Sequence, residues 1–476
     1  MIKKILFLLA TIFTGTIAVS QTPCSSGMAG DYPCKDYDLM SIVSLGDMST
    51  TFVNDSWGWT DPTNNKEYAI IGLNNGTAFV DITDALNPKY LGKLPTATLN
   101  STWRDVKVHK DHAYIVSEAA GHGMQVFDLK RLRTVTTAQT FTADKHFTGF
   151  GSAHNIVINE NSDYAYPVGT SKSGTYKGGP LFINISDPKN PVSEGGWGTD
   201  NYSHDAQVIT YTGPDTRYTN KEILIGSNEN EVVVVDITDK SKPETISKIS
   251  YANVGYTHQG WFTEDQKYFI LGDELDEQNF GMKTRSIIFD FTNLKTPKEH
   301  FVYLGPTDAI DHNGYVKGDT FYLANYTAGV RFIDISNIGT KSITETGYFD
   351  TYPESNTASF NGVWSVYPYF ASGNIVISDS NRGLFVVRKS GTLSVDKFSL
   401  SKKFSIAPNP TKNNPTIRAK ENAQIVSLQV FSILGRKVFA KQNINKKEYV
   451  LPISSFSKGI YLVKINNKIT KKLVVK

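Results

Sequence analysis

"VVVVDITDKSKP", residues 232–243, is a run of β-branched residues that halts at an acid–hydroxyl turn and then a proline. Valine and isoleucine fit a pleated, half-buried surface. The Asp-Ile-Thr-Asp turn and the proline beyond it cannot extend a central strand. The same arrangement returns as "TAFVDITDALNP" (77–88), "MQVFDLKRL" (124–132), "LFINISDPKNP" (181–191), "SIIFDFTNLKTP" (286–297), "VRFIDISNIG" (330–339) and "LFVVRKSG" (384–391). A second β run stands upstream, as in "YAIIG" (68–72), "AYIVS" (113–117), "EILIG" (222–226), "YFILG" (268–272) and "NIVIS" (374–378). The period is roughly 40–55 residues, room for four short strands, and such repeats predict an all-β propeller. Seven units are present. The segment "DLMSIVSLGD" (38–47) precedes them and resembles the last strand of a unit, "KYLGKLP" (89–95), so it is expected to complete the seventh blade. Closure by both chain ends removes exposed sheet edges. Six or eight blades are the neighbouring alternatives, and an open stacked solenoid is the rival architecture.

The two ends of the chain differ from this body. Lys3 and Lys4 precede an apolar run that ends at Ala18-Val19-Ser20, the pattern of a cleavable secretory signal. The run is about 15 residues, short of the roughly 20 that a membrane-spanning helix needs. The remaining chain offers no other apolar segment of spanning length. Cys24 and Cys34 are the two cysteines. In an oxidising compartment they read as one disulfide, with a metal clip as the weaker alternative because no histidine stands nearby. Residues 401–476 hold 16 Lys and Arg against Glu421 and Glu448, a net of +14; the whole chain is +3, so residues 1–400 carry −11. An acidic body argues against nucleic-acid binding, which needs a basic face to neutralise phosphates. The lysines of the tail interleave with strand-like runs, which predicts a small β-sandwich rather than a disordered arm.

Three blocks in that tail, "FSIAPNPTKN" (404–413), "LQVFSILGRKVF" (428–439) and "GIYLVKI" (459–465), resemble the C-terminal sorting domain of type IX secretion substrates. The resemblance implies the type IX secretion machinery as a partner. It also implies passage through the periplasm and a final place outside the cell or on its outer surface. The body has a likeness of its own. "PCSSGMAGDYPC" (23–34), "DSWGWTDP" (55–62), "WRDVKVHKDHAYIVSEAAGHGMQVFDL" (103–129), "HDAQV" (204–208), "THQGW" (257–261), "DELDE" (273–277) and "FNGVWSVYPYF" (360–370) resemble the choice-of-anchor B proteins. That family is built from LVIVD-type β repeats, and its members share a body but differ in how they attach to the cell. The resemblance supplies no catalytic assignment. The expected organisation is a signal at 1–20, an N-terminal segment at 21–38, the propeller at 39–391, a linker at 392–403 and the sorting domain at 404–476.

Polar residues recur once per unit at the start of the first strand. They are Arg104-Asp105, His154-Asn155, His204-Asp205, His258-Gln259, His312-Asn313 and Asn361-Gly362. The first strand of a propeller blade lines the central axis, so four histidines are expected to converge at one mouth. The ends of the second strands add Glu118, Asn228-Glu229, Asp273-Glu274 and Asp379. Second strands run antiparallel to first strands, which places these carboxylates at the same mouth. Neutral imidazoles bind zinc, copper or iron, and neighbouring carboxylates or amides fix the ring tautomer. His154, His204, His258 and His312 are therefore metal candidates. Arg104, Asp105, Glu118, Glu229, Asp273, Glu274 and Asp379 are ligand-binding candidates. The loop "DELDEQN" (273–279) suits calcium, which prefers oxygen ligands. The bland alternative is that the strand-leading residues hydrogen-bond the neighbouring blade and lock the ring. His109, His112, His122, His146 and His300 lack the register and read as surface or loop residues. The six tryptophans read as inter-blade packing, with sugar stacking as the minor alternative. Nucleophile elbow, zincin, P-loop and dinucleotide motifs are missing. The expectation is a secreted binding module for an extracellular glycan, peptide or protein. The alternative is a metal-dependent extracellular hydrolase or oxidoreductase that uses the histidine ring.

Overall fold

The acid–hydroxyl turn that ends the repeats is a side-chain-capped turn. In the computed structural model the Thr238 N–H donates to Asp236 Oδ1 at 3.0 Å. The equivalent bond joins Thr83 to Asp81 at 3.0 Å, Ser186 to Asn184 at 3.0 Å, Thr292 to Asp290 at 2.7 Å and Ser336 to Asp334 at 2.8 Å. Each bond folds the backbone onto its own side chain two residues back, so the strand stops there. The structure describes residues 21–391, 403–420, 423–432, 437–466 and 469–476. The expected signal at 1–20 and nearly all of the expected linker lie outside the described residues.

The chain divides into two compact units, Met1–Ser390 and Gly391–Lys476. Among the described residues of the first unit, seven sheets follow one another along the chain. Their innermost strands are Val53–Thr60, Arg104–His109, Asn155–Asn159, Asp205–Thr210, Thr257–Phe262, Gly314–Lys317 and Val363–Tyr367. Each inner strand touches the next, and Val363–Tyr367 touches Val53–Thr60 to close the ring. This is a seven-bladed β-propeller. Middle strands such as Glu67–Leu73 and Gly76–Asp81 are buried along their whole length, whereas the outer strand Glu244–Ile249 is half-exposed. The core lies between blades. Ile223, Ile225, Val232 and Val234 of blade 4 pack on Phe262, Phe269, Leu271 and Phe289 of blade 5. Each such side chain contributes about 1.5–3 kcal/mol relative to exposure.

Tyr37–Ser44 is the fourth strand of blade 7, antiparallel to Gly383–Lys389. The segment before it also belongs to the ring. Tyr32–Lys35 pairs with the outer strand of blade 6, and Met28–Ala29 pairs with Tyr32–Lys35. The expected boundary at residue 39 therefore moves outward, because Met28–Ala29 and Tyr32–Lys35 extend the sheet of blade 6 and Tyr37 and Asp38 already belong to the last strand of blade 7. Cys24 and Cys34 form a disulfide inside this segment. Among its described residues the second unit has a three-stranded and a four-stranded sheet around Phe404, Ile417, Leu428, Val430, Val463, Ile465 and Leu473.

Candidate functional site

Four imidazoles sit side by side where the inner strands of blades 3 to 6 begin. Backbone hydrogen bonds to the second strand of the same blade hold three of them. The His154 N–H donates to the Val168 carbonyl at 3.0 Å, His204 to Ser227 at 2.8 Å and His312 to Ala324 at 2.9 Å. Ring centroids are 4.1 Å apart between His154 and His204, 4.7 Å between His204 and His258, and 4.4 Å between His258 and His312. All four side chains are nearly buried.

Their second atoms differ. His154 Nδ1 donates to Glu118 Oε1 at 2.6 Å. The hydroxyl of Tyr256 lies 3.0 Å from His204 Nδ1 and donates to Glu229 Oε1 at 3.4 Å. His312 Nδ1 donates to the Trp364 carbonyl, which leaves the lone pair of the neutral ring on Nε2. Glu274 spans two rings, with Oε2 at 3.7 Å from His258 Nε2 and Oε1 at 3.5 Å from His312 Nε2. Tyr326 donates to Glu274 Oε1 at 3.2 Å. His204 Nε2 and His258 Nδ1 are buried without a hydrogen-bond partner among the described residues. Orphaned buried polar atoms cost about 1–3 kcal/mol each, so such a pair calls for a ligand. One ligand atom each from His204, His258 and Glu274 lies within 4.8 Å of the others.

Burial, aided by repulsion from the neighbouring rings, pushes His204 and His258 well below the usual imidazole range. Burial pushes His312 down to about 3. These three rings are neutral at physiological pH, the state that binds metals. Burial acts on His154 in the same direction, but the bond to Glu118 and its charge, with Glu274 beyond, hold this imidazole above its usual value. Burial lifts Glu274 to about 7.

The structure thus gathers His154, His204, His258, His312, Glu118, Glu229 and Glu274, and engages the other candidates elsewhere. Arg104 is buried and donates to the Leu73 carbonyl at 2.9 Å and to Thr96 Oγ1 at 2.7 Å, with His122 Nε2 2.8 Å away. Asp273 accepts from the backbone of Gly255 at 2.7 Å and Tyr256 at 2.6 Å. Asp379 accepts from Thr351 Oγ1 at 2.6 Å and from the backbone of Asn381 and Arg382 at 2.8 Å each. Asp105 accepts from Lys107 Nζ at 2.7 Å and from the Ile156 backbone at 2.8 Å, a tie from blade 2 to blade 3. Such ties recur: Gln207 accepts from Phe262 N and Gln259 from Gly314 N, each at 2.9 Å. Inter-blade ties therefore come both from residues that follow the strand-leading position and from the histidines themselves. His154 bonds Glu118 of blade 2, His204 meets Tyr256 of blade 5 and His312 bonds the Trp364 carbonyl of blade 7.

Two histidines outside the register, His109 and His112, are buried strand residues rather than the surface or loop residues their spacing suggested. His122 lies in a loop as expected but is fully buried against Arg104. Sequence reasoning also missed Tyr256, Tyr326 and Trp364. Tyr256 stands two residues before His258, as Tyr202 does before His204, so a tyrosine recurs ahead of two of the register histidines. At the other ends of the inner strands a cavity of about 520 Å³ opens, lined by Trp57, Trp261, Tyr367, Tyr369, Glu160 and Glu264 among others. Trp57 packs edge-on to Tyr315 and Tyr367, so it serves inter-blade packing there.

Comparison with known proteins places the second unit. Residues 405–476 match the family model Por_Secre_tail, the secretion system C-terminal sorting domain. The protein is exported through type IX secretion to the cell surface or the extracellular space. No helix among the described residues is long and apolar enough to cross a membrane. No curated protein matches the sequence. Among solved structures, the chain is similar to PorZ of Porphyromonas gingivalis, a surface component of its type IX secretion system. The two are 11% identical with a TM-score of 0.45, and the match covers 89% of this chain and 59% of PorZ. A Lactobacillus plantarum protein is 13% identical, with 89% of this chain and 98% of that chain covered and a TM-score of 0.44. At such scores these likenesses add nothing to the fold that the seven sheets define.

Proposed function

We propose that this exported propeller is a binding module that holds a transition-metal ion at its histidine mouth and engages an extracellular glycan, peptide or protein there. The observation that carries the reading is that His204, His258 and Glu274 each offer a ligand atom within 4.8 Å of the others, in a mouth where His204 Nε2 and His258 Nδ1 have no hydrogen-bond partner among the described residues. Nitrogen-rich sites of this kind suit zinc, copper or iron. Tyr256 orients the His204 ring as an outer partner of a metal ligand does, while Glu118 and the Trp364 carbonyl fix the flanking rings of His154 and His312. The stretches that resemble choice-of-anchor B proteins, "HDAQV", "THQGW" and "DELDE", contribute His204, His258 and Glu274. This favours reading the body as that of a choice-of-anchor B protein. Metal analysis of protein purified without an affinity tag tests the proposal. One equivalent of a transition metal is expected in the wild type and none in the His204→Ala/His258→Ala double variant. A metal-free wild type that also takes up no added zinc, copper or iron removes the proposal.

One observation favours an enzyme at the same place. Three protein ligands with a position left open is the pattern of catalytic rather than structural zinc sites. There a bound water would be activated for hydrolysis. Screening metal-loaded protein against glycan, ester and peptide substrates separates the readings. Turnover that disappears in the double variant establishes the enzyme. Ligand binding without turnover establishes the module.

A further inference from the structure

We infer a second cation site, of calcium type, built from Asp276, Glu277 and Asp311 between blades 5 and 6. Asp276 and Glu277 belong to the short helix Asp276–Phe280, which follows the second strand of blade 5. Asp311 precedes the inner strand Gly314–Lys317 of blade 6. Their exposures are 0%, 3% and 0%. One carboxylate oxygen from each lies within 4.8 Å of the others.

Acidic clusters alone mean little; here the unmet bonding capacity is what points to an ion. Both carboxylate oxygens of Asp311 are buried without a hydrogen-bond partner among the described residues, and so are Asp276 Oδ1 and Glu277 Oε2. The nearby guanidinium, Arg285, pairs through Nε with Asp276 Oδ2, the other oxygen of that carboxylate. Its remaining nitrogens donate to the carbonyls of Ala252 at 2.9 Å and Asn253 at 2.8 Å. Asp273 adds a further buried negative charge 3.6 Å from Arg285. Burying uncompensated carboxylates is so costly that a cation or shared protons must answer them. Gly272 belongs to the same construction: a Cβ there would lie 2.1 Å from Asp311 Oδ2, so the carboxylate rests directly on bare backbone.

The donor set decides the ion. Three carboxylates without nitrogen or sulfur select a hard cation. The three ligand oxygens lie within 4.8 Å of one another, near enough for one ion to reach them all. Calcium accepts a carboxylate set in the flexible geometry a fold imposes, where magnesium demands a near-ideal octahedron. An ion there ties the 273–281 loop of blade 5 to blade 6. That loop also carries Glu274, so the ion would steady the mouth, a consequence that rests on the function proposed above.

The test uses the full chain, stripped with chelator and titrated with calcium alone by calorimetry and thermal unfolding. One calcium per chain and a rise in Tm of about 2–5 °C are expected. Asp311→Asn should lose calcium binding. In chelator it should melt no lower than the wild type, because one repelling charge is gone. Glu277→Gln provides the same readout should the first variant fail to fold. The His204→Ala/His258→Ala variant should keep its calcium response, which separates this site from the mouth. A wild type with equal Tm in chelator and calcium and no calorimetric binding overturns the site and leaves a proton-sharing cluster. Undiminished calcium binding in Asp311→Asn or Glu277→Gln overturns it as well.

Discussion

Asp55 lies enclosed in the channel, where its Oδ1 accepts from the Ser56 backbone at 2.6 Å and its Oδ2 from Asn313 Nδ2 at 3.2 Å. Its charged neighbours are Asp105 and Lys107, and Lys107 is paired with Asp105 rather than with Asp55. Burial, reinforced by the charge of Asp105, raises Asp55 to about 7 against an ordinary value of 3.8. A carboxyl raised on folding binds more protons in the native state, so its contribution to stability falls as pH climbs from about 4 to 7 and stays lowered above. Asp55→Asn keeps the shape without the charge. It should match the wild type near pH 4 and exceed it by about 1–3 kcal/mol near pH 8. Urea unfolding across that range decides, and a pH-independent difference counts against the assignment. The same residue scale shows where sequence reading ran out. The histidine register was legible because each imidazole leads the same strand in its own repeat. Asp311 was not, because the partners it meets, Asp276 and Glu277, come from a different blade and only the packing of blade 6 against blade 5 brings them close. Arg104, Asp273 and Asp379 looked like ligands because sequence reveals charge but not which backbone amides or carbonyls will claim it.

Among the elements, the N-terminal strand has the largest leverage. Tyr37–Ser44 completes blade 7, Tyr32–Lys35 extends blade 6, and the stretch between them leaves no break in pairing for either sheet to exploit. Tyr37 stacks on Phe332 of blade 6, and Tyr32 meets Phe385 of blade 7 edge-on at 5.1 Å. This segment is therefore a clasp across two blades, and the Cys24–Cys34 disulfide, with a sequence separation of 10, fixes its leading end. A loop of that size removes about 2–3 kcal/mol of chain entropy from the unfolded state. Cys24→Ser with Cys34→Ser should lower stability by that order and speed amide exchange in Tyr37–Ser44 ahead of the other blades. Uniform exchange across all seven blades would show that the clasp does not depend on the bridge. The clasp was legible in part. The likeness of "DLMSIVSLGD" to a unit's last strand announced the closure of blade 7. The pairing of residues 28–35 with blade 6 left no trace, since short edge strands carry neither length nor periodicity enough to be read.

At the level of the whole molecule, charge divides the chain as its two units do. Residues 401–476 carry +14 and residues 1–400 carry −11, and the basic part coincides with the sorting-domain match at 405–476. That tail has a core of its own, including Phe404, Ile417, Leu428 and Val463. The ring likewise closes without it: the strands that complete blade 7 are Gly383–Lys389 and Tyr37–Ser44, both before residue 391. The sorting-domain match therefore falls in one unit and the histidine mouth in the other. Deleting 405–476 should leave a propeller with the thermal transition, metal content and calcium response of the full chain, but confined to the periplasm when produced in its own secretion background. Cell fractionation together with unfolding of the truncated protein checks both halves of this expectation. Surface appearance without the tail would contradict the sorting role, and a truncated protein that fails to fold would contradict the independence of the ring.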